Sequence, residues 1–321
     1  MAVQPEKILR ELSKLWVDLG HDEAVLRACS MTLIVVCEGS DDVTEAGEAL
    51  AELMREHPSR AIVVRVAGGQ EPRLESRVFA QCWMPFGRRQ QICCEQIEIM
   101  STASSLGDVY SALLGLTVPD LPVIMWLRSA RLLTVPEFQP LMRIARSIVL
   151  DSSGLPLAAD ALSAMEAART AGWRMKDLRW TRLTRWRQIV AQIFENPDIR
   201  AKHVTAIQVR HTGAEIPVEA WYMAAWLTAR LADAEVGFEP SDRILNNGVQ
   251  GLVIEGPDLR ISILPQDEAA VEVKVDSVSS RVVLPEMAEW RLVQEELSIL
   301  RNDPVFESTL ELACQLARRK P

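Results

Sequence analysis

From the amino terminus, apolar residues first recur at helical spacing in PEKILRELSKLWVDLG, where Glu6, Arg10, Glu11 and Lys14 break up the apolar face and predict an amphipathic helix. Residues 31–39, MTLIVVCEG, form a short β-branched run closed by glycine, the pattern of a buried strand. Helical spacing returns in Val43, Ala46, Leu50, Leu53 and Met54, with Asp41 and Asp42 as caps and Pro58 as the stop. Residues 60–67 predict a second strand, and Gly68-Gly69 breaks the chain after it. Residues 77–84 and 91–100 read as a hairpin about the turn Pro85-Phe86-Gly87. A helix through Leu116 opens at residues 101–105. A strand over 123–127 follows Pro119-Asp120-Leu121-Pro122, and Pro136 begins a short helix. Residues 147–151 are again strand-like, and 155–171 form a helix.

This alternation predicts an α/β fold: a mostly parallel, mixed sheet flanked by helices, Rossmann-like, over residues 1–172. Beyond Gly172 a Trp- and Arg-rich helix leads into short strands at 203–210, 251–255, 259–264, 271–275 and 281–284, and two helices close the chain. Strands succeeding one another with few helices between them predict a smaller α+β domain with antiparallel strands over 173–321.

The 321 residues suffice for cores that need neither metal nor disulfide. No uncharged apolar run is long enough to span a bilayer, and the first helix is too charged for a signal peptide, so a cytoplasmic protein without membrane contact is expected. In that compartment the six cysteines are expected as free thiols. A net charge of -9 opposes general affinity for nucleic acid.

Catalytic signatures are absent from the sequence. There is no G-x-G-x-x-G, no G-x-x-x-x-G-K-[ST], no G-x-S-x-G, no H-E-x-x-H and no C-x-x-C, so neither a catalytic residue, a metal site nor a bound cofactor is predicted. His21, His57, His203 and His211 fall on separate elements without metal-ligand spacing, and His57 before Pro58 suits a turn. Cys93 and Cys94 are adjacent in a strand and point to opposite faces, so they read as small buried hydrophobes or, with Cys314, as redox sensors. Ser101, Thr102, Ser104 and Ser105 follow one strand and open a helix, and Asp151, Ser152 and Ser153 end another. Both loops suit plain helix capping. They also suit one phosphate pocket at the carboxyl ends of neighbouring strands, which keeps a sugar-phosphate-binding enzyme or effector sensor as the alternative function.

The segment DLRWTRLTRWRQ, residues 177–188, concentrates Arg179, Trp180, Arg182, Arg185, Trp186 and Arg187 on one predicted helix. Leu183, Trp186, Val190, Ile193 and Phe194 share a face, with Trp180 at its edge and Arg182 and Arg185 on the flank. Indoles and guanidiniums dominate binding hot spots, so these six are predicted to contact a partner, the alternative being a helix packed between domains. This run, with EHPSRAIVV at 56–64, PDLPVIMW at 119–126 and SIVLDS at 147–152, resembles the OpcA family of glucose-6-phosphate dehydrogenase assembly proteins. Members of that family commonly carry a second Trp where this chain has Leu127. The resemblance implies a non-catalytic, two-domain accessory subunit of the pentose phosphate route that binds glucose-6-phosphate dehydrogenase and promotes its active oligomer.

Overall fold

The structure, a computed structural model, describes residues 4–19, 25–39, 43–69, 71, 73–85, 91–242, 245, 248–299 and 301–319. Asp41, Asp42, His21 and the turn residues 86–87 lie outside the described residues.

The first part of the chain runs α1 (Pro5–Leu19), β1 (Val25–Arg27), β2 (Met31–Glu38), α2 (Val43–Glu56), β3 (Ser59–Ala67), β4 (Leu74–Trp83), β5 (Gln91–Thr102), α3 (Leu106–Leu116), β6 (Val123–Leu127), α4 (Gln139–Met142) and β7 (Ser147–Leu150). Then come α5 (Ala158–Thr170) and β8 (Met175–Asp177). One eight-stranded sheet results, in the order β1-β5-β3-β2-β6-β7-β8, with β4 antiparallel to β5. The pairs β1–β5, β5–β3, β3–β2, β2–β6 and β6–β7 are parallel. β2 lies at the centre with β3 on one side and β6 on the other, the point where strand order reverses in a Rossmann-like sheet. Seven consecutive residues of β2, from Met31 to Cys37, are buried, because a central parallel strand is covered on both faces. The α2 residues Ala46, Leu50, Leu53 and Met54 are buried as their spacing predicts.

Ionic chemistry is built into this core. Glu95 on β5, 3% exposed, accepts Arg60 Nε at 2.5 Å, Arg27 at 2.5 Å and Trp16 Nε1 at 2.7 Å, which ties α1, β1 and β3 to one carboxylate. A buried charge is tolerated only with partners of this kind.

The second part runs α6 (Leu178–Arg182), α7 (Thr184–Glu195), α8 (Pro197–Arg200), β9 (Ala206–His211), α9 (Val218–Thr228), β10 (Glu235–Pro240), β11 (Val249–Gly256), β12 (Leu259–Asp267), β13 (Ala270–Val275), β14 (Val278–Val283), α10 (Glu289–Ser298) and α11 (Pro304–Arg319). Its six strands are ordered β10-β9-β11-β12-β13-β14, antiparallel throughout except for parallel β10–β9. The five strands expected here are present. Helix α9 and strand β10 are additions, and α9 is buried on every side from Val218 to Leu227.

The chain forms two compact units that interleave along the sequence. One comprises Met1–Asp151, Ala168–Lys176 and Glu289–Leu300; the other comprises Ser152–Ala167, Asp177–Ala288 and Arg301–Pro321. The boundary expected at residue 172 falls inside the returning segment Ala168–Lys176. Helix α10 belongs to the first unit, where it packs on α2. Arg128 holds its start through Glu289 at 3.0 Å, and Lys176 Nζ donates to the Glu296 and Ile299 carbonyls at its end.

The expectation of free thiols is corrected at one pair. Cys82 and Cys93 lie directly opposite each other on antiparallel β4 and β5, so their side chains meet on one face of the sheet, and they are disulfide-bonded. Cys37, Cys94 and Cys314 lie outside the disulfide and are buried, and Cys29 lies outside it and is half-buried. Burial pushes the Cys94 thiol up to about 11, which suits a packing residue and not a sensor. The same burial argues against Cys314 as an accessible sensor.

Candidate functional site

The arginine- and tryptophan-rich run folds as two short helices, α6 and α7, with Leu183 between them. Asp177, fully buried, caps α6 by accepting from Arg179 N at 3.0 Å, and it also accepts from Ser152 N at 3.2 Å and Tyr222 Oη at 2.8 Å. Burial, with the Asp177 carboxylate beside it, pushes the Tyr222 hydroxyl well above its ordinary value, so it stays a donor.

Arg179 reaches Glu219 at 2.7 Å and Ser153 Oγ at 2.5 Å. Glu219 is 2% exposed and lies so close to Gly248 that a Cβ there would sit 2.7 Å from Oε2. Arg187 stacks 3.5 Å over the Trp180 ring and donates to Thr184 Oγ1 at 3.1 Å. Trp180 donates to Asp303 Oδ2 at 3.2 Å, and its ring packs against Tyr222 and Phe306.

These contacts take up much of the run within the second unit. Trp180 is 3% exposed and Trp186 is fully buried, so neither indole presents a contact surface; both serve the core of the second unit. Leu183, Trp186 and Val190 of the apolar helix face are buried while Ile193 and Phe194 are half-buried, and the enrichment of tryptophan reflects a core requirement. Arg179 and Arg187 are likewise engaged, one in an ion pair and one in a stack. Arg182 and Arg185 have looser surroundings. Arg182 makes one long bond, to the Met287 carbonyl at 3.4 Å, and its Nε is buried without a partner among the described residues. Arg185 is exposed and meets Gln188 at 3.2 Å.

Arg182 and Arg185 wall a narrow cleft floored by Trp186, Leu284 and Met287, with exposed Glu268 and Glu286 on its rim. Its internal space is about 40 Å³, far below the ~300–1,000 Å³ of small-molecule sites. A single carboxylate or a few waters fit there; a sugar phosphate does not. A wider groove of about 440 Å³ runs along Arg210, Glu239 and Gln250, but Arg210 is paired with Glu239 at 2.9 Å and Gln250 with the Leu245 backbone.

The hydroxyl loops are not brought together. β5 and β7 carry them, and β3, β2 and β6 stand between those strands, a separation of about 19 Å at ~4.8 Å per strand. Strand β5 runs on through Thr102, so the helix starts later than expected, at Leu106. Ser101 Oγ donates to the Arg65 carbonyl, and Thr102 Oγ1 bonds the Glu71 carbonyl and Ser104. Ser105 is buried and gives no side-chain cap. These hydroxyls tie strand ends together, a role that neither capping nor phosphate binding anticipated. Ser152 is 1% exposed, with its amide given to Asp177 and its hydroxyl unbonded among the described residues. Asp151 is half-buried at the end of β7.

His57 ends α2 through its amide on the Leu53 carbonyl, His203 is exposed, and His211 is buried against Phe238. Among the described residues no group of three His, Cys, Asp or Glu is placed to hold a metal, and no helix is long and apolar enough to cross a membrane.

Two family models match the chain: the glucose-6-phosphate dehydrogenase subunit N-terminal domain over residues 50–169 and the corresponding C-terminal domain over residues 173–310. The chain is 24% identical over 232 residues to a putative OxPP cycle protein OpcA of Nostoc punctiforme, covering 71% of this chain and 47% of that protein. It is 23% identical over 198 residues to the Synechocystis protein of the same description, covering 60% and 41% respectively. The chain thus spans about half the length of the curated relatives it matches. Among solved structures, a Synechocystis biliverdin reductase aligns at TM-score 0.47 and 10% identity, covering 90% of this chain and 98% of that one. An aldose-aldose oxidoreductase from Caulobacter crescentus aligns at TM-score 0.48 and 11% identity over the same shares. Likenesses of that order say nothing about chemistry.

Proposed function

Because the chain belongs to the OpcA family of glucose-6-phosphate dehydrogenase subunits, matching the models of both its domains, we propose that it is a non-catalytic accessory subunit that binds glucose-6-phosphate dehydrogenase and promotes its active oligomer. The observation that carries this reading is the fate of the arginine-rich run. Its buried Asp177 and both indoles are consumed in holding the second unit together, while Arg182 and Arg185 line a cleft too small for a metabolite. Arg182 and Arg185 are the partner-binding residues in this proposal; Arg179, Trp180, Trp186 and Arg187 hold the helices that present them.

A subunit that binds the active oligomer more tightly than the inactive one shifts the population by that difference. A coupling of about 1–3 kcal/mol changes substrate affinity by roughly 5- to 150-fold. The test is mixing. Adding the protein to the cognate dehydrogenase should raise its sedimentation coefficient and shift its glucose-6-phosphate saturation curve; no change in either sinks the proposal. Arg182→Glu with Arg185→Glu should weaken association about tenfold or more while leaving the circular dichroism and melting temperature unchanged. The sugar-phosphate alternative has less support, because Ser101 and Thr102 already spend their hydroxyls on backbone carbonyls.

A further inference from the structure

The six-stranded sheet ends on β14, which pairs with β13 along one side only among the described residues. Just beyond the strand, Leu284 N donates to the Ala269 carbonyl, continuing the same register. Antiparallel pairs alternate between bonded and non-bonded, so residues 278, 280 and 282 aim their amides at β13. Ser279, Arg281 and Val283 therefore turn theirs to the open side.

Exposed edges are commonly blunted by charge, proline or brevity. The opposite edge, β10, is blunted by Glu235, Glu239 and Pro240. β14, with sequence VSSRVV, has no proline and one charge, Arg281, which is paired with Asp267 at 2.8 Å. Val278 is 70% exposed and Val283 55%. From this edge the chain passes directly into the cleft, which Leu284 and Met287 help to line. The cleft also holds the buried Nε of Arg182, unpartnered among the described residues, beside exposed Arg185.

We propose that the open edge of β14 and the adjoining arginine cleft are one docking surface, which takes an extended segment of the dehydrogenase as an added strand with a carboxylate side chain seated between Arg182 and Arg185. This deepens the proposed function and rests on it. Main-chain bonds to 279, 281 and 283 supply adhesion that tolerates many sequences. The carboxylate completes the guanidinium's bonding and fixes register, a charge-assisted contact stronger than a neutral one. Glu268 and Glu286 on the rim disfavour a second acid outside the first.

The experiment compares Val283→Pro, which removes one outward amide, with Val283→Thr, which keeps it. Proline is tolerated on an edge whose N–H faces out. In sedimentation of the full chain with the purified dehydrogenase, the proline variant should bind about five- to tenfold more weakly, as expected for a lost backbone bond, and the threonine variant nearly as wild type. Amide exchange on the wild-type complex gives a second readout that needs no variant. Protection should rise at Ser279, Arg281 and Val283, whereas Ser280 and Val282 are protected already. Unchanged exchange at the outward three overturns the inference. If Arg182→Glu with Arg185→Glu still weakens binding in that case, the accessory role stands without it. A concentration-dependent dimer of the chain alone that Val283→Pro abolishes also overturns it, assigning the edge to a second copy. Failure of the wild-type proteins to associate at all removes both readings together.

Discussion

Asp177 has no solvent to fall back on, and each of its bonds is correspondingly costly to lose. Tyr222→Phe removes one donor from the buried carboxylate and should destabilise the protein by about 1–3 kcal/mol in urea unfolding. Arg179→Met leaves Glu219, 2% exposed, as an uncompensated buried acid; a loss of about 3 kcal/mol is expected, partly recovered when Glu219→Gln is added. Asp276 is a contrasting exposed case. It sits at φ 50° and accepts from Arg260 N at 3.0 Å and Lys202 at 2.9 Å, bonds that hold its carboxyl below the ordinary carboxylate value. Its contribution is present above the ordinary value and fades as pH falls through the depressed one. Asp276→Asn tolerates the left-handed backbone and keeps an acceptor but not the charge, so its stability should vary less with pH over that acid window, as measured by urea titration at successive pH values. Among the cysteines outside the disulfide, half-buried Cys29 should react with an alkylating reagent before buried Cys37, Cys94 and Cys314, a ranking that peptide mapping checks.

At the level of elements, α1 is fastened by Trp16 on Glu95, and Trp16→Phe should speed amide exchange along α1 while β5 stays protected. Elements with a clear local pattern were legible from sequence: β2 as a short β-branched run closed by glycine, α2 by its buried stripe and the β4–β5 hairpin by its flanking strands. Helix α9 was not, because a helix buried all round has no polar face and therefore no period to detect. Strand β10 is short and carries Gly237 and Pro240, which argue locally against a strand, and parallel pairing with β9 overrides them. The candidate site was half legible. Composition located the arginine-rich helices, but whether an indole faces solvent or core depends on Tyr222, Asp303 and Phe306, which lie far along the chain. The disulfide had an available signal, since Cys82 and Cys93 each stand two residues inside the facing ends of the expected strands 77–84 and 91–100 and so meet once the hairpin forms.

For the molecule as a whole, the order in which the chain visits its two units governs how it can be made. The first unit needs α10, which covers α2, yet α10 comes from residues 289–298, after nearly all of the second unit has been synthesised. On a ribosome the earlier sheet must wait with one flank of α2 bare until that late helix emerges. A gene cut at residue 172 would strand α10 on the wrong piece, so two separately expressed halves should be poorly soluble alone and improve when produced together.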